Sequence, residues 1–313
     1  MRVSTQMYPQ QLLGQLGKLS EQQQKLQNQV ATGLRVQEAA DDPSAARKII
    51  MWQADKAAID QYRENVHSQR DLAITNAGVI QQLKKLSDRA NELTIVADGT
   101  QSKDALQHYA KEVDGLIEQA LSLGNSRFNG NYIFSGTATD TAAFEATRDA
   151  TGKITNVTSQ GNSNVSSVEV SPGNTLSAQW VGSNLNGGGQ VGLFRDSSQE
   201  IDVFGDLIAL RDHLMDGNTE AIQQIDNDKL EAVEDHFIQF AGLNGSLQAR
   251  METQIASLNN QEFALTGMIS REGDADLAET VVRLNEVQYA YQAALQTGAK
   301  IMDRSLMIIF DRG

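Results

Sequence analysis

The sequence predicts a mainly α-helical protein with a β insert: paired terminal helices, a bundle of long helices and a small all-β outer domain. Three observations predict it. Apolar residues recur at heptad spacing at both ends of the chain and on either side of its middle. Three prolines in 313 residues leave room for long uninterrupted helices. Between Ser135 and Gln199, Thr, Ser, Asn and Gly dominate, charges thin out and helical periodicity vanishes.

The first arm is expected over residues 7–31. Leu12, Leu16, Leu19, Leu26 and Val30 fall on a 4-3 template, with Gln23 as its one polar seam residue. Glutamines on the flanks solvate it, and Gly33 breaks it. Asp42 is a good N-cap and Pro43 suits a first helical position, so a second helix should run from there to about Val96, stopped by Asp98-Gly99. Gly78 inside it costs roughly 1 kcal/mol relative to alanine and would mark a close helix contact. A third helix is expected from Ser102 to Leu123, ended by Gly124-Asn125.

The Asn129-Gly130-Asn131 turn and a Tyr132–Phe134 strand then lead into the insert. Four strands are expected there, at 153–158, 165–170, 175–181 and 190–194, separated by turn residues. A disordered polar loop is the alternative; the strand spacing and the Trp180 and Phe194 anchors favour order. Helix returns at 206–215. A long helix capped by Thr219 or a neighbour should then run through Gly242 and Gly245, because the apolar phase continues past them. Residues 270–276 are read as a hinge, with Asp274 or Asp276 capping the last arm. In that arm Leu277, Val281, Leu284, Tyr291, Leu295, Met302 and Ile309 follow the heptad template, and Gln288, Gly298 and Ser305 fill the remaining seam positions. The expected divisions are 1–41 with 271–313 (arms), 42–134 with 200–270 (long-helix bundle) and 135–199 (β domain).

The sequence carries no clustered chemistry. The four histidines, His67, His108, His213 and His236, are solitary, with no metal-ligand spacing. Asp274-Ala275-Asp276 opens like a calcium loop but lacks the remaining ligands, so a helix cap is the better reading. The Gly187–Gly189 run has no following Lys-Ser/Thr and reads as a turn. Asn156-Val157-Thr158 and Asn164-Val165-Ser166 match glycosylation sequons, a pattern that arises by chance in such loops. The absence of cysteine excludes disulfides and thiolate chemistry. A net charge of −14 argues against a nucleic-acid partner. The start has no cleavable signal pattern, and the apolar run at 306–310 is far too short to span a bilayer. The expectation is therefore a part that assembles: no enzyme, no cofactor, no metal, no membrane. The polar Gln23 and Gln288 restrict register at a cost in stability, so the arms are expected to order only on assembly.

Several stretches carry a family resemblance. The segment Ala31 to Pro43, with Gly33, Leu34, Arg35, Asp41, Asp42 and Pro43, resembles the linker motif of the flagellin superfamily. Met1-Arg2-Val3-Ser4-Thr5, the 129–136 stretch and the tail motifs at 274–279, 283–285 and 295–301 are similar to its hook–filament junction branch more than to its filament-forming branch. Pro43 after Asp42 also agrees with the junction type. The resemblance covers both ends and most of the helical part, not 139–199.

The resemblance implies a flagellin-like nested fold and a structural adaptor of the bacterial flagellum. It would form a ring of its own copies between the first hook-associated protein and flagellin, exported without a cleaved signal peptide and guarded at its C-terminal arm by a cytoplasmic chaperone. A short flagellin that forms the filament itself is the alternative.

Overall fold

The computed structural model describes the backbone of residues 4–310 and the side chains of residues 10–300. Among these residues seven α-helices and nine short strands follow one another as α1 (Ser4–Thr32), α2 (Pro43–Val96), α3 (Lys103–Gly124), β1 (Arg127–Phe128), β2 (Asn131–Tyr132), β3 (Phe144–Arg148), β4 (Ile154–Ser159), β5 (Val168–Ser171), β6 (Asn174–Leu176), β7 (Val181–Asn184), β8 (Gly192–Asp196), β9 (Ile201–Asp202), α4 (Val203–Asp216), α5 (Thr219–Ala221), α6 (Asn227–Gly273) and α7 (Leu277–Phe310). A mainly helical fold with a β insert is what the sequence predicts. The chain divides into two compact units: residues 59–259, and residues 1–58 with 260–313.

The 59–259 unit holds the core. Leu83, Ala90, Leu93, Val113, Ile117, Leu207, Leu210, Val233 and Phe237 are buried where α2, α3, α4 and α6 supply their apolar faces. α3 packs along α4. The helix boundaries follow local chemistry. The Ser102 hydroxyl accepts from the Ala105 N–H to start α3, and the Asp202 carboxylate accepts from the Gly205 N–H to start α4. Gly217, at φ 74°, ends α4 in the left-handed conformation that glycine adopts without strain. Asn218 is the cap that the sequence places at Thr219 or a neighbour; its side chain accepts from the Ala221 N–H.

The long helix that follows is interrupted once. Residues Ile222–Asp226 form a π turn, which the periodicity does not signal. The turn is tied to its neighbours: Gln223 donates to the Thr94 carbonyl at 2.7 Å, and Asp226 lies 2.7 Å from His213 Nδ1. Beyond it α6 continues through Gly242 and Gly245, as the apolar phase predicts. Gly78 has open space where a side chain would stand, so it marks no close helix contact. The expectation fails because a mid-helix glycine is an energetic signal only, with no direction attached.

The insert is ordered. β1 and β2 close a hairpin on Asn129 and Gly130, both at positive φ, as a tight primed turn requires. The Tyr132–Phe134 strand shrinks to Tyr132, while Ile133 and Phe134 turn into the core. β3–β4 and β5–β6 are antiparallel hairpins, and β7, β8 and β9 form a three-stranded sheet in which β7 and β8 run parallel. The expected 175–181 strand is two strands, β6 and β7, on different sheets; β3 and β9 had no counterpart in the sequence reading.

Aromatic rings anchor these small sheets to the helices. Phe194 packs edge-on to Phe134 and stacks on Phe204 (both at 5.5 Å between centroids), and Phe144 leans on both Phe194 and Phe204. A Cβ at Gly124 would stand 2.7 Å from the Phe144 ring, so glycine there lets the ring reach α3. Burying each such ring contributes about 1.5–3 kcal/mol. Trp180 meets Phe240 edge-on, and the His236 ring packs on the same Phe240. His236 sits 3.0 Å from the Gly192 carbonyl and 2.9 Å from the Gln199 side chain. Burial lowers its pKa against the opposite pull of the Gly192 carbonyl and the Asp196 charge, which favours the neutral imidazole.

A candidate assembly site at the paired chain ends

The unit made of residues 1–58 and 260–313 is built differently. α1 and α7 pack along each other. Yet among its described residues the buried hydrophobic side chains are Leu26, Ala45, Ala46 and Val287 alone. The head seam lies on the packed side of α1. Leu26 is buried, and Leu12, Leu16, Leu19, Gln23 and Val30 are half-buried.

The tail seam splits. On α7 burial recurs at Thr280, Leu284, Val287, Tyr291, Ala294 and Gly298, a 4-3 pattern that shares Leu284, Tyr291 and Gly298 with the expected one. Gln288 is half-buried beside it. Leu277, Val281 and Leu295 lie outside that face, at 50%, 41% and 46% exposure. The difference has a physical origin. Thr280 and Ala294 are too small to weigh in a hydrophobic template, yet small residues, Gly298 among them, are what let two helices approach closely. A Cβ at Gly298 would stand 2.5 Å from Leu12 Cδ2, so the leucine occupies the room glycine leaves. Met302 and Ile309 lie on the helical stretch of α7, outside the residues whose side chains are described. Among the described residues no hydrogen bond joins Gln23 to Gln288.

The linker motif forms a clasp. α1 ends at Gly33, whose φ of 74° turns the chain while its N–H still donates to the Gln29 carbonyl at 2.8 Å. Leu34 then bridges Asp274 as a single antiparallel β pair. Around it the Arg35 N–H donates to the Gly273 carbonyl at 2.7 Å, and the Ala275 N–H donates to the Gly33 carbonyl at 2.8 Å. The Arg35 guanidinium completes the joint, donating to the Glu272 carbonyl at 2.6 Å and to Asp42 Oδ2 at 3.1 Å. Glu272 also pairs with Lys48 at 2.8 Å.

The two acids of the motif do separate work. Asp42 Oδ1 accepts from the N–H groups of Ser44 and Ala45 at 3.1 Å, and so caps α2 with Pro43 as its first residue. Those N–H bonds and Arg35 hold its carboxyl below the usual range. Asp41 instead ties the loop to α1. It pairs with Lys25 at 2.7 Å and accepts from the N–H groups of Gln37 and Glu38. The Lys25 bond, then those two N–H bonds, lower its pKa to about 2. Across the clasp Asp276 caps α7, accepting from Ala278 and Glu279, while Asp274 accepts from the Ser270 hydroxyl. The helix-cap reading of these aspartates therefore holds at Asp276. The stretch expected as a hinge is mostly helical, because α6 runs to Gly273.

Lys25, Lys48 and Glu272 belong to the clasp and were missed by motif reading. They sit one per element on helical surfaces, where no spacing marks a partner distant in sequence. No groups of three or more potential metal ligands occur among the described residues. No described helix is long and apolar enough to cross a membrane.

A mainly helical chain whose two ends pair, clasped through a Gly-Leu-Arg…Asp-Asp linker and bracketing a β insert, has the plan of a flagellin-type protein. Residues 3–139 match the bacterial flagellin N-terminal helical region and residues 231–309 the bacterial flagellin C-terminal helical region, together more than half of the chain; it belongs to the flagellin family. Within that family it is similar to flagellar hook-associated protein 3 of Salmonella typhimurium, 30% identical over 147 residues. That stretch is 46% of each chain, so the match spans under half the relative's length. The same-named Escherichia coli protein is 30% identical over 146 residues, again 46% of each. Solved structures share the fold. Bacillus cereus FlgL matches with a TM-score of 0.56 at 22% identity, over 70% of this chain and 99% of that one. Xanthomonas campestris FlgL matches with a TM-score of 0.57 at 16% identity, over the same shares.

Proposed function

We propose that this protein is a structural adaptor of the bacterial flagellum, joining the hook-associated ring to the flagellin filament through its terminal helices. The observation that carries the reading is the second apolar stripe of α7. Leu277, Val281 and Leu295 stay exposed after α1 and α7 have paired, in a unit with few buried apolar side chains among its described residues. An exposed stripe beside a packed seam is what a helix needs to join neighbours as well as its own partner. The relatives named hook-associated protein 3 supply the setting.

The partners are copies of this chain in a ring, the first hook-associated protein on one side and flagellin on the other. The protein works outside the cell, as a component of the flagellum. A cytoplasmic export chaperone covers the exposed stripe of the C-terminal arm before assembly, by helix-in-groove contact. The three-part division into arms (1–41 with 271–313), bundle (42–134 with 200–270) and β domain (135–199) is the domain plan that goes with this role.

The test is Leu295→Asp. Leu295 is not part of the α1–α7 seam, so the variant should fold and fail to incorporate. Normal filaments on cells carrying it would overturn the reading. A second reading, a short flagellin, is favoured by the family regions themselves, which are those of flagellin. Purified protein under filament-forming conditions separates the two: the adaptor stays short, and a flagellin polymerises alone.

A further inference from the structure

Three Asn-Gly pairs occur in the chain, at 129–130, 186–187 and 244–245, in three different environments. An asparagine followed by glycine is open to attack on its own side chain. The following N–H, once deprotonated, adds to the side-chain carbonyl carbon; that C–N bond forms, the amide C–N bond breaks and ammonia leaves. The resulting five-membered imide takes up water at either carbonyl. The products are aspartate, or isoaspartate with the backbone running through the side chain. The sum is one amide and one water converted to one carboxylate and one ammonium. The step needs an unpinned side chain, a backbone free to rotate and no substituent on the following residue.

We propose that Asn186 is a site of spontaneous deamidation and isoaspartate formation, and that the fold ranks the three pairs as Asn186, then Asn129, then Asn244. Asn186 lies in the connection between β7 and β8, outside any helix or strand, and is exposed. Gly187, Gly188 and Gly189 follow it, two of them at positive φ, and glycine imposes the least steric barrier to the rotation required. Among the described residues its side chain holds no hydrogen bond. The connection is tied at its base, where Asn184 Nδ2 donates to the Gln190 carbonyl at 3.0 Å.

Asn129 is also exposed, but it sits in a two-residue hairpin turn. That turn is held shut by the Ile133 N–H bond to the Ser126 carbonyl and by Arg127 lying 4.1 Å over the Tyr132 ring. Asn244 is buried inside α6. Its Nδ2 donates to the Ala73 carbonyl at 2.9 Å, and its Oδ1 faces Trp180 Nε1 at 3.4 Å. To react, α6 must open locally.

The full chain is incubated in mildly alkaline buffer. Peptides spanning each pair are then followed by mass spectrometry for the gain of one mass unit and for isoaspartate. The Asn186 peptide should convert first. Asn244 should lag it by at least about tenfold, the factor that ~1.4 kcal/mol of opening imposes. In denaturant the three rates should converge, which assigns the ranking to the fold. Asn186→Gln should remove the fast conversion and leave the other two unchanged. No conversion at Asn186, or a native rate below that of Asn129 or equal to that of Asn244, overturns the proposal.

Discussion

Leu12 fills the room that Gly298 leaves, one of the contacts through which α1 lies along α7. Gly298→Leu puts a side chain where Leu12 already is, and overpacking of this kind costs about 1–3 kcal/mol. Amide exchange across the first arm should accelerate in that variant while α3 and α4 are unchanged; unaltered exchange in α1 would refute the contact's role. Asp41 offers a second check, by titration. Its pKa is depressed to about 2 because the ionised form is bonded to Lys25 and to two backbone N–H groups. A depressed carboxyl contributes stability above its unfolded value, and that contribution is lost as pH falls through about 2. In Lys25→Met the carboxyl should titrate closer to its ordinary 3.8, remaining below it because the Gln37 and Glu38 N–H bonds persist. An unchanged NMR titration midpoint would show that the lysine bond is not formed in solution.

At the scale of elements, α7 has two working faces, and substitutions on them should fail differently. Leu284 lies on the face packed toward α1, so Leu284→Asp should loosen the terminal pair itself, visible as faster exchange in both helices. Leu295, exposed at 46%, should leave the pair intact and block incorporation alone. Equal exchange behaviour of the two variants would mean that the two faces are one.

The sequence carried much of this. The Asp42-Pro43 start of α2, the start of α3 near Ser102, the passage of α6 through Gly242 and Gly245 and the linker motif were all legible, because each is local chemistry or a long periodicity. The rest was hidden for stated reasons. The packed side of α7 is lined with small residues, which hydrophobic templates undercount. The π turn at Ile222–Asp226 is stabilised by Thr94 and His213, which no local window contains. The Arg35–Glu272 contact joins residues at opposite ends of the chain. β3, with Phe144 and Ala146 alternating against Glu145 and Thr147, showed the period of a strand over too short a run to stand out.

Over the whole molecule, buried apolar surface is unevenly shared. The 59–259 unit has a continuous core, including a chain of packed phenylalanine rings, and among the described residues the unit of chain ends has almost none. Local stability follows buried contacts. In the free monomer, amides of residues 10–30 and 280–300 should therefore exchange much faster than those of α3 and α4. Strong protection of both arms before assembly would contradict a protein that orders its ends on its neighbours.

The central claim is that these ends join unlike partners and do not build a filament alone. Deleting the gene and locating flagellin tests it most directly. The account predicts cells that keep their hooks, export flagellin and lose it to the medium unassembled. Filaments of normal length on the deleted strain, or flagellin retained inside the cell, would contradict it.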